Sequence, residues 1–270
     1  VEDLYDWEKM ISLLENQEPL WPPGTAAGYH AVVWGYLPGE IARRLTGSSL
    51  GRILADRLAD PFLADFFLGL PESEMARVAP VIGPNRARIQ PEPGSAAGEA
   101  ARMPPLYAIS LQNPLIRPFK DASSPAWQAA EIAASNGQAT AAGIARIYAG
   151  VLGPRSPLSA ATLAALTEER VGMTPDLVLG TPVRRGAGVI LNTESAYGPT
   201  LSSFGHPGAG GSTGFADPEY GIGVGYVMNQ MQPNLEGDTR GGRLIKALYA
   251  CLGGSAQRLK SPEKSGKKIL

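Results

Sequence analysis

Eight prolines, at positions 84, 91, 93, 104, 105, 114, 118 and 125, fall inside residues 83–126. Each lacks a backbone N–H and fixes φ, so no long helix can cross this stretch. A wrapping excursion of short helical turns is expected there instead. The hydrophobic period differs on its two sides. Before it, residues 3–17 carry Leu4, Trp7, Ile11 and Leu14 at helical spacing, with Asp3 as a candidate N-cap. Further helices are predicted over 29–45, stopped by Gly47, and over 49–58 and 72–81. After it come an Ala-rich helix over 138–151 and a short one over 159–167 capped by Ser159. The last third changes to short apolar runs at 176–179, 188–192, 203–206 and 220–228, separated by Gly and Pro, before a closing helix over 240–252. Helices followed by a run of strands predict an α+β architecture, an antiparallel sheet packed by helices. One domain over 1–257 is expected, with the Pro-rich excursion inside it and a basic tail over 258–270.

Composition narrows the function. Twenty-four Lys and Arg against twenty-five Asp and Glu leave a net charge of −1, with no global basic field for nucleic acid or an anionic membrane. No apolar run approaches the length of a membrane span. A lone cysteine, Cys251, excludes an internal disulfide and an all-cysteine metal site, and is compatible with a reducing compartment without fixing one. Two histidines, His30 and His206, argue against a His-rich metal site. The chain starts at Val1 without a signal-peptide pattern, which fits either a removed leader or a start inside a longer gene.

Four segments carry candidate chemistry. Gly47-Ser48-Ser49-Leu50-Gly51 matches G-x-S-x-G, but a helix precedes it where a nucleophile elbow needs a strand. Ser48 or Ser49 as a helix cap is the simpler reading. Gly210-Gly211-Ser212-Thr213-Gly214 matches the same pattern and reads as a hairpin turn; Thr213 breaks the G-x-G-x-x-G spacing of a dinucleotide loop. Tyr29 follows the Gly-bearing loop Pro23-Gly24-Thr25-Ala26-Ala27-Gly28 and is expected at a helix start, where the positive end of the helix favours phenolate. In Phe204-Gly205-His206-Pro207-Gly208-Ala209, a strand end lets backbone N–H groups face a pocket. There the Ala209 N–H could form half of an oxyanion hole beside the His206 imidazole.

Together these segments resemble the class C β-lactamase-related serine hydrolases, and within them the β-lactamase-like carboxylesterases. The resemblance is carried by Leu20-Trp21-Pro22-Pro23-Gly24-Thr25, Tyr29-His30-Ala31, Gly39-Glu40-Ile41, Leu45-Thr46-Gly47, Ala130-Glu131-Ile132, Ser135-Asn136-Gly137 and the run Phe204 to Ser212. It covers nearly the whole chain to about Leu252. It implies a β-lactamase/transpeptidase-like fold and hydrolysis of ester, amide or lactam bonds through an acyl-enzyme, with no metal or organic cofactor. Tyr29 matches the proton-relaying Tyr of the Y-x-N motif, with Ala31 where that motif has Asn. His206, Pro207 and Gly208 match the K-T-G triplet, and His for Lys removes a fixed cation. Ala209 matches the oxyanion-hole position, Asn136 a pocket-lining position, and Trp127 is expected to shape the acyl or alcohol pocket.

The family nucleophile is the Ser of S-x-x-K, at the start of a buried helix where Lys can take its proton. By resemblance it lies on the order of a hundred residues before the Tyr motif. Only twenty-eight residues precede Tyr29, and the literal matches, Ser261…Lys264 and Ser265…Lys268, sit in the tail. The chain is therefore expected to be the C-terminal portion of a longer hydrolase. It would be inactive alone and would expose a sheet edge and apolar surface open to self-association. Two rivals are an α/β-hydrolase using Ser49, Asp176 and His206, and a non-catalytic binding or assembly protein on the same scaffold.

Overall fold

A computed structural model describes residues 1–84, 104–232 and 239–259. The readings for 85–103 and for the tail from residue 260, including both literal S-x-x-K matches, fall outside the described residues.

The chain opens with a 3₁₀ turn, Glu2–Tyr5, and then helix α1, Trp7–Glu15. The N-cap is Asp6, not Asp3: Asp6 is extended (φ −100°) and its carboxylate accepts from Lys9 N–H at 3.0 Å. Helix α2 spans Tyr36–Thr46 and ends on Gly47 in the left-handed region (φ 70°), as its sequence predicts. It does not begin at Tyr29. Residues 29–30 are irregular and 31–35 form turns instead; the Tyr29 N–H is taken by a side chain from a distant loop. Tyr29 therefore precedes the helix by seven residues in the chain. Helix α3, Leu50–Leu54, is capped by Ser49 and runs into a π-helical turn, Ala55–Ala59. Residues Glu72–Arg77 form a 3₁₀ helix.

Among the described residues of the Pro-rich stretch, three short helices carry a proline in their first turn: α4 (Pro105–Leu111), α5 (Pro118–Asp121) and α6 (Pro125–Ala129). A two-stranded ladder pairs β1 (Phe66–Phe67) with β2 (Gln138–Ala139). Helix α7 (Ala141–Leu152) follows on a Thr140 cap, and α8 (Ala160–Thr167) on the expected Ser159 cap.

The main sheet is antiparallel, in the order β3 (Ile190–Leu191), β4 (Phe204–Pro207), β5 (Thr213–Asp217), β6 (Ile222–Tyr226). Helix α9, Thr239–Leu259, closes the described chain. Two sequence expectations change here. Residues 176–179 are a turn, because Asp176 Oδ1 accepts from Val178 and Leu179 N–H, both at 2.8 Å, and folds the backbone onto itself. Strand β5 occupies the interior of the sheet, although Thr213 and Gly214 read as part of a hairpin turn. The strand keeps Gly214 because a side chain there would strike Ile144 and Tyr148 of α7. The same holds at Gly223 and Gly225 of β6, where a Cβ would lie 2.2–2.3 Å from α7 backbone atoms. Glycine thus lets α7 lie directly on the sheet.

One core joins α1, the 29–35 segment, α2 and α6 through Leu4, Ile11, Val32, Tyr36, Trp127 and Ile132. A second packs α9 on the sheet through Phe215, Ile245 and Tyr249, with Tyr197 stacked on Phe215 at 5.2 Å. Helix α2 leaves Leu37, Ile41 and Leu45 exposed along one face.

Candidate active site

The approach to Tyr29 is a folded loop. Thr25 N–H and Oγ1 both donate to Pro22 O, and Gly24 supplies the positive φ of +84°. Trp21 donates from Nε1 to Ala26 O at 3.1 Å and lays its ring on Gly28, where a Cβ would come within 2.7 Å of it. The loop then zips onto residues 176–177: Leu177 N–H donates to Ala27 O, and Tyr29 N–H donates to Asp176 Oδ1, both at 3.0 Å.

Across the cleft, β4 delivers His206. The Tyr29 and His206 rings lie 6.0 Å apart between centroids, tilted by 31°. His206 Nδ1 meets Pro207 O. A carbonyl only accepts, so the neutral ring carries its proton on Nδ1. Nε2 of the neutral imidazole is therefore available as an acceptor. The ring reaches solvent, yet the protein around it dominates its titration. Burial pushes its pKa down, partly opposed by the Pro207 carbonyl, and the positive charge of Arg185 pushes it further down.

The turn after β4 is tight. Gly208 N–H donates to Ser212 O at 2.6 Å, and Gly211 N–H returns to Gly208 O. Gly210 has φ +85°, and a Cβ on it would strike Met231. Ala209 is exposed at the tip, and among the described residues nothing accepts from its N–H.

Tyr29 and His30 also border an open, mostly apolar cavity of about 920 Å³, walled by Leu14, Trp21, Val33 and Ile109 among others. Burial raises the Tyr29 pKa, Arg185 opposes the rise, and Asp176 adds to it. At neutral pH the phenol holds its proton. Ser110 of α4 lines the same cavity, but α4 carries no lysine to activate it.

The remaining sequence candidates lie elsewhere. Trp127 is 3% exposed, in the core beneath the Tyr29 segment. Asn136 is 2% exposed, and its side chain is fully engaged by backbone: it accepts from Ile132 N–H and donates to Trp127 O and Ala130 O. Ser49 Oγ donates to Glu131 Oε1 at 2.6 Å while capping α3, and Asp176 does not meet His206. The Ser49–Asp176–His206 triad is therefore not assembled. Residue types alone did not point to Arg185, whose role comes from its contact with Asp176. Among the described residues there is no cluster of three His, Cys, Asp or Glu able to hold a metal, and no helix is long and apolar enough to cross a membrane.

The Beta-lactamase family model matches residues 1–249. The chain is 31% identical over 243 residues to the esterase/beta-lactamase LipL of Mycobacterium tuberculosis (strain ATCC 25618 / H37Rv), covering 85% of this chain and 54% of LipL. It is similar to the crystal structure of a family VIII carboxylesterase, with 41% identity and a TM-score of 0.82, covering 92% of this chain and 65% of that one. It is also similar to EstA from Arthrobacter nitroguajacolicus Rue61a, with 30% identity and a TM-score of 0.78, covering 95% and 68%. The chain thus spans about half the length of LipL and less than two thirds of the family VIII enzyme.

Proposed function

Since the chain belongs to the Beta-lactamase family, we propose that it forms the tyrosine-bearing part of an esterase-like serine hydrolase that cleaves small esters through an acyl-enzyme. Tyr29 passes the proton between the attacking serine and the leaving group. The Ala209 N–H donates a hydrogen bond to the developing oxyanion, a contribution of about 3 kcal/mol where such donors have been removed. His206 Nε2 accepts a hydrogen bond from the reacting groups. The observation that supports this most directly is the pairing of the Tyr29 and His206 rings at 6.0 Å, with the exposed Ala209 N–H three residues beyond His206 and without an acceptor among the described residues.

The attacking serine comes from outside the described residues. Among those residues no Ser-x-x-K couple stands beside Tyr29, and Ser110 lacks an activating amine. Under this reading the chain alone is expected to be inactive. The test is hydrolysis of a chromogenic short-chain ester, with and without a supplied segment carrying the Ser-x-x-K helix of a longer relative. No turnover and no labelling by a serine-reactive phosphonate are expected alone. Turnover abolished by Tyr29→Phe is expected in the complemented protein. Tyr29-dependent turnover by the chain alone would overturn the inactivity; its absence from a folded, complemented protein would overturn the hydrolase function.

A further inference from the structure

Arg184 and Arg185 are neighbours with different partners. Arg184 pairs with Glu169 at 2.6 Å and donates to Asn192 O at 3.1 Å. Arg185 turns inward, its side chain 17% exposed, and faces the fully buried carboxylate of Asp176 at 2.8 Å. That contact is ionic: the two atoms meet outside hydrogen-bonding geometry. The other carboxylate oxygen is held by three N–H groups, one of them from Tyr29 itself. A buried ion pair is a weak source of stability, since desolvation offsets most of its Coulomb attraction. Its position is more informative. Arg185 pairs with the same carboxylate that holds the Tyr29 N–H, and the Tyr29 ring meets His206 across the cleft; behind the larger effect of burial, its positive charge works against the rise at Tyr29 and adds to the lowering at His206. His206 stands where the family triplet has lysine, so β4 supplies no permanent charge there.

We propose that Arg185, locked in place by Asp176, is the fixed cation of this cleft: a positioning residue that stabilises negative charge on the Tyr29 oxygen. Its catalytic meaning rests on the hydrolase function proposed above, but its electrostatic effect exists without turnover. The charged and titratable groups facing Tyr29 are Arg185 and Asp176 from the 176–185 loop and His206 from β4, with His30 next to it in its own segment. During proton relay the phenol would cycle between neutral and anionic forms. A guanidinium stays charged throughout, so it favours the anionic form without exchanging protons itself.

The test reads individual titrations by NMR on the 270-residue chain with ¹³Cζ-labelled tyrosine and labelled histidine. Tyr29→Phe and His206→Gln identify the two signals. Arg185→Gln is expected to shift both midpoints upward, and Arg185→Lys to restore them. Loss of the cation's effect in Arg185→Gln and its recovery in Arg185→Lys together are the signature of a charge, which a purely structural role would not produce. Unmoved midpoints in folded Arg185→Gln would overturn the proposal. If that variant does not fold, Arg185→Gln/Asp176→Asn, which leaves no buried charge unpaired and keeps an oxygen for the three N–H groups, takes its place; Arg185 outweighs Asp176 at Tyr29, so a Tyr29 midpoint that does not rise there would overturn the proposal. A failed ester assay leaves these titrations intact, and a failed titration leaves the hydrolase function standing.

Discussion

Asn136 offers the sharpest separation between a pocket role and a structural one. Its amide is 2% exposed and makes three hydrogen bonds with the loop between α6 and β2: Ile132 N–H to Oδ1 at 2.9 Å, and Nδ2 to Trp127 O at 2.6 Å and Ala130 O at 2.7 Å. Asn136→Ala deletes all three and leaves one donor and two acceptors facing protein. A net hydrogen bond is worth about 1 kcal/mol, and an orphaned buried group costs about 1–3 kcal/mol. The expected loss is about 3–4 kcal/mol, a large fraction of the roughly 5–15 kcal/mol that holds a domain together. In a chain of this size that lowers Tm by about 6–16 °C. Urea unfolding followed by tryptophan fluorescence and circular dichroism measures it. Asn136→Asp supplies a control: at neutral pH a carboxylate faces two carbonyls with no proton to offer, so it should be at least as unstable as Ala, recovering as acid protonates it. A loss below about 1 kcal/mol for Asn136→Ala would refute the reasoning and return Asn136 to the pocket.

The glycine-faced sheet makes a second prediction. Gly223→Ala places a Cβ 2.2 Å from both Ala145 O and Ala149 N, so it should cost at least about 1–3 kcal/mol, whereas Gly242→Ala in α9, with open space around it, should gain about 0.5–1 kcal/mol; chemical denaturation of both variants checks the pair. The histidines set a pH trend. His206 and His30 have folded pKa values below the usual 6.5, so the unfolded chain binds protons more readily as the pH falls through 6.5. Stability should therefore be flat above 6.5, decline below it, and level off under the folded values; His206→Gln should flatten the slope in a Tm-versus-pH series.

Local chemistry made much of the fold legible in the sequence. Gly47 stops α2, and Ser49 and Ser159 cap their helices, because capping is decided within one turn of chain. The prolines of 104–125 open short helices for the same reason. The Tyr29–His206 meeting was reachable only through family resemblance, since 177 residues separate the two (206 − 29). What escaped is what long-range packing decides. β5 hides behind Gly214, whose missing side chain looks like a turn until α7 is seen lying on it. The 176–179 segment is apolar enough for a strand, but the Asp176 carboxylate captures its N–H groups first. Arg185 carries no local signal, because its neighbour Arg184 has the same chemistry and a different partner.

The bond from Tyr29 N–H to Asp176 closes a loop of 147 residues. The length-dependent entropy of such a closure is about 4 kcal/mol, several times what one hydrogen bond returns. It cannot recruit its own partner. The helical layer and the sheet must already have come together before residue 29 finds residue 176, so the cleft is assembled late. A polypeptide severed anywhere between those positions could regain the phenol's seat only by bringing both fragments back together.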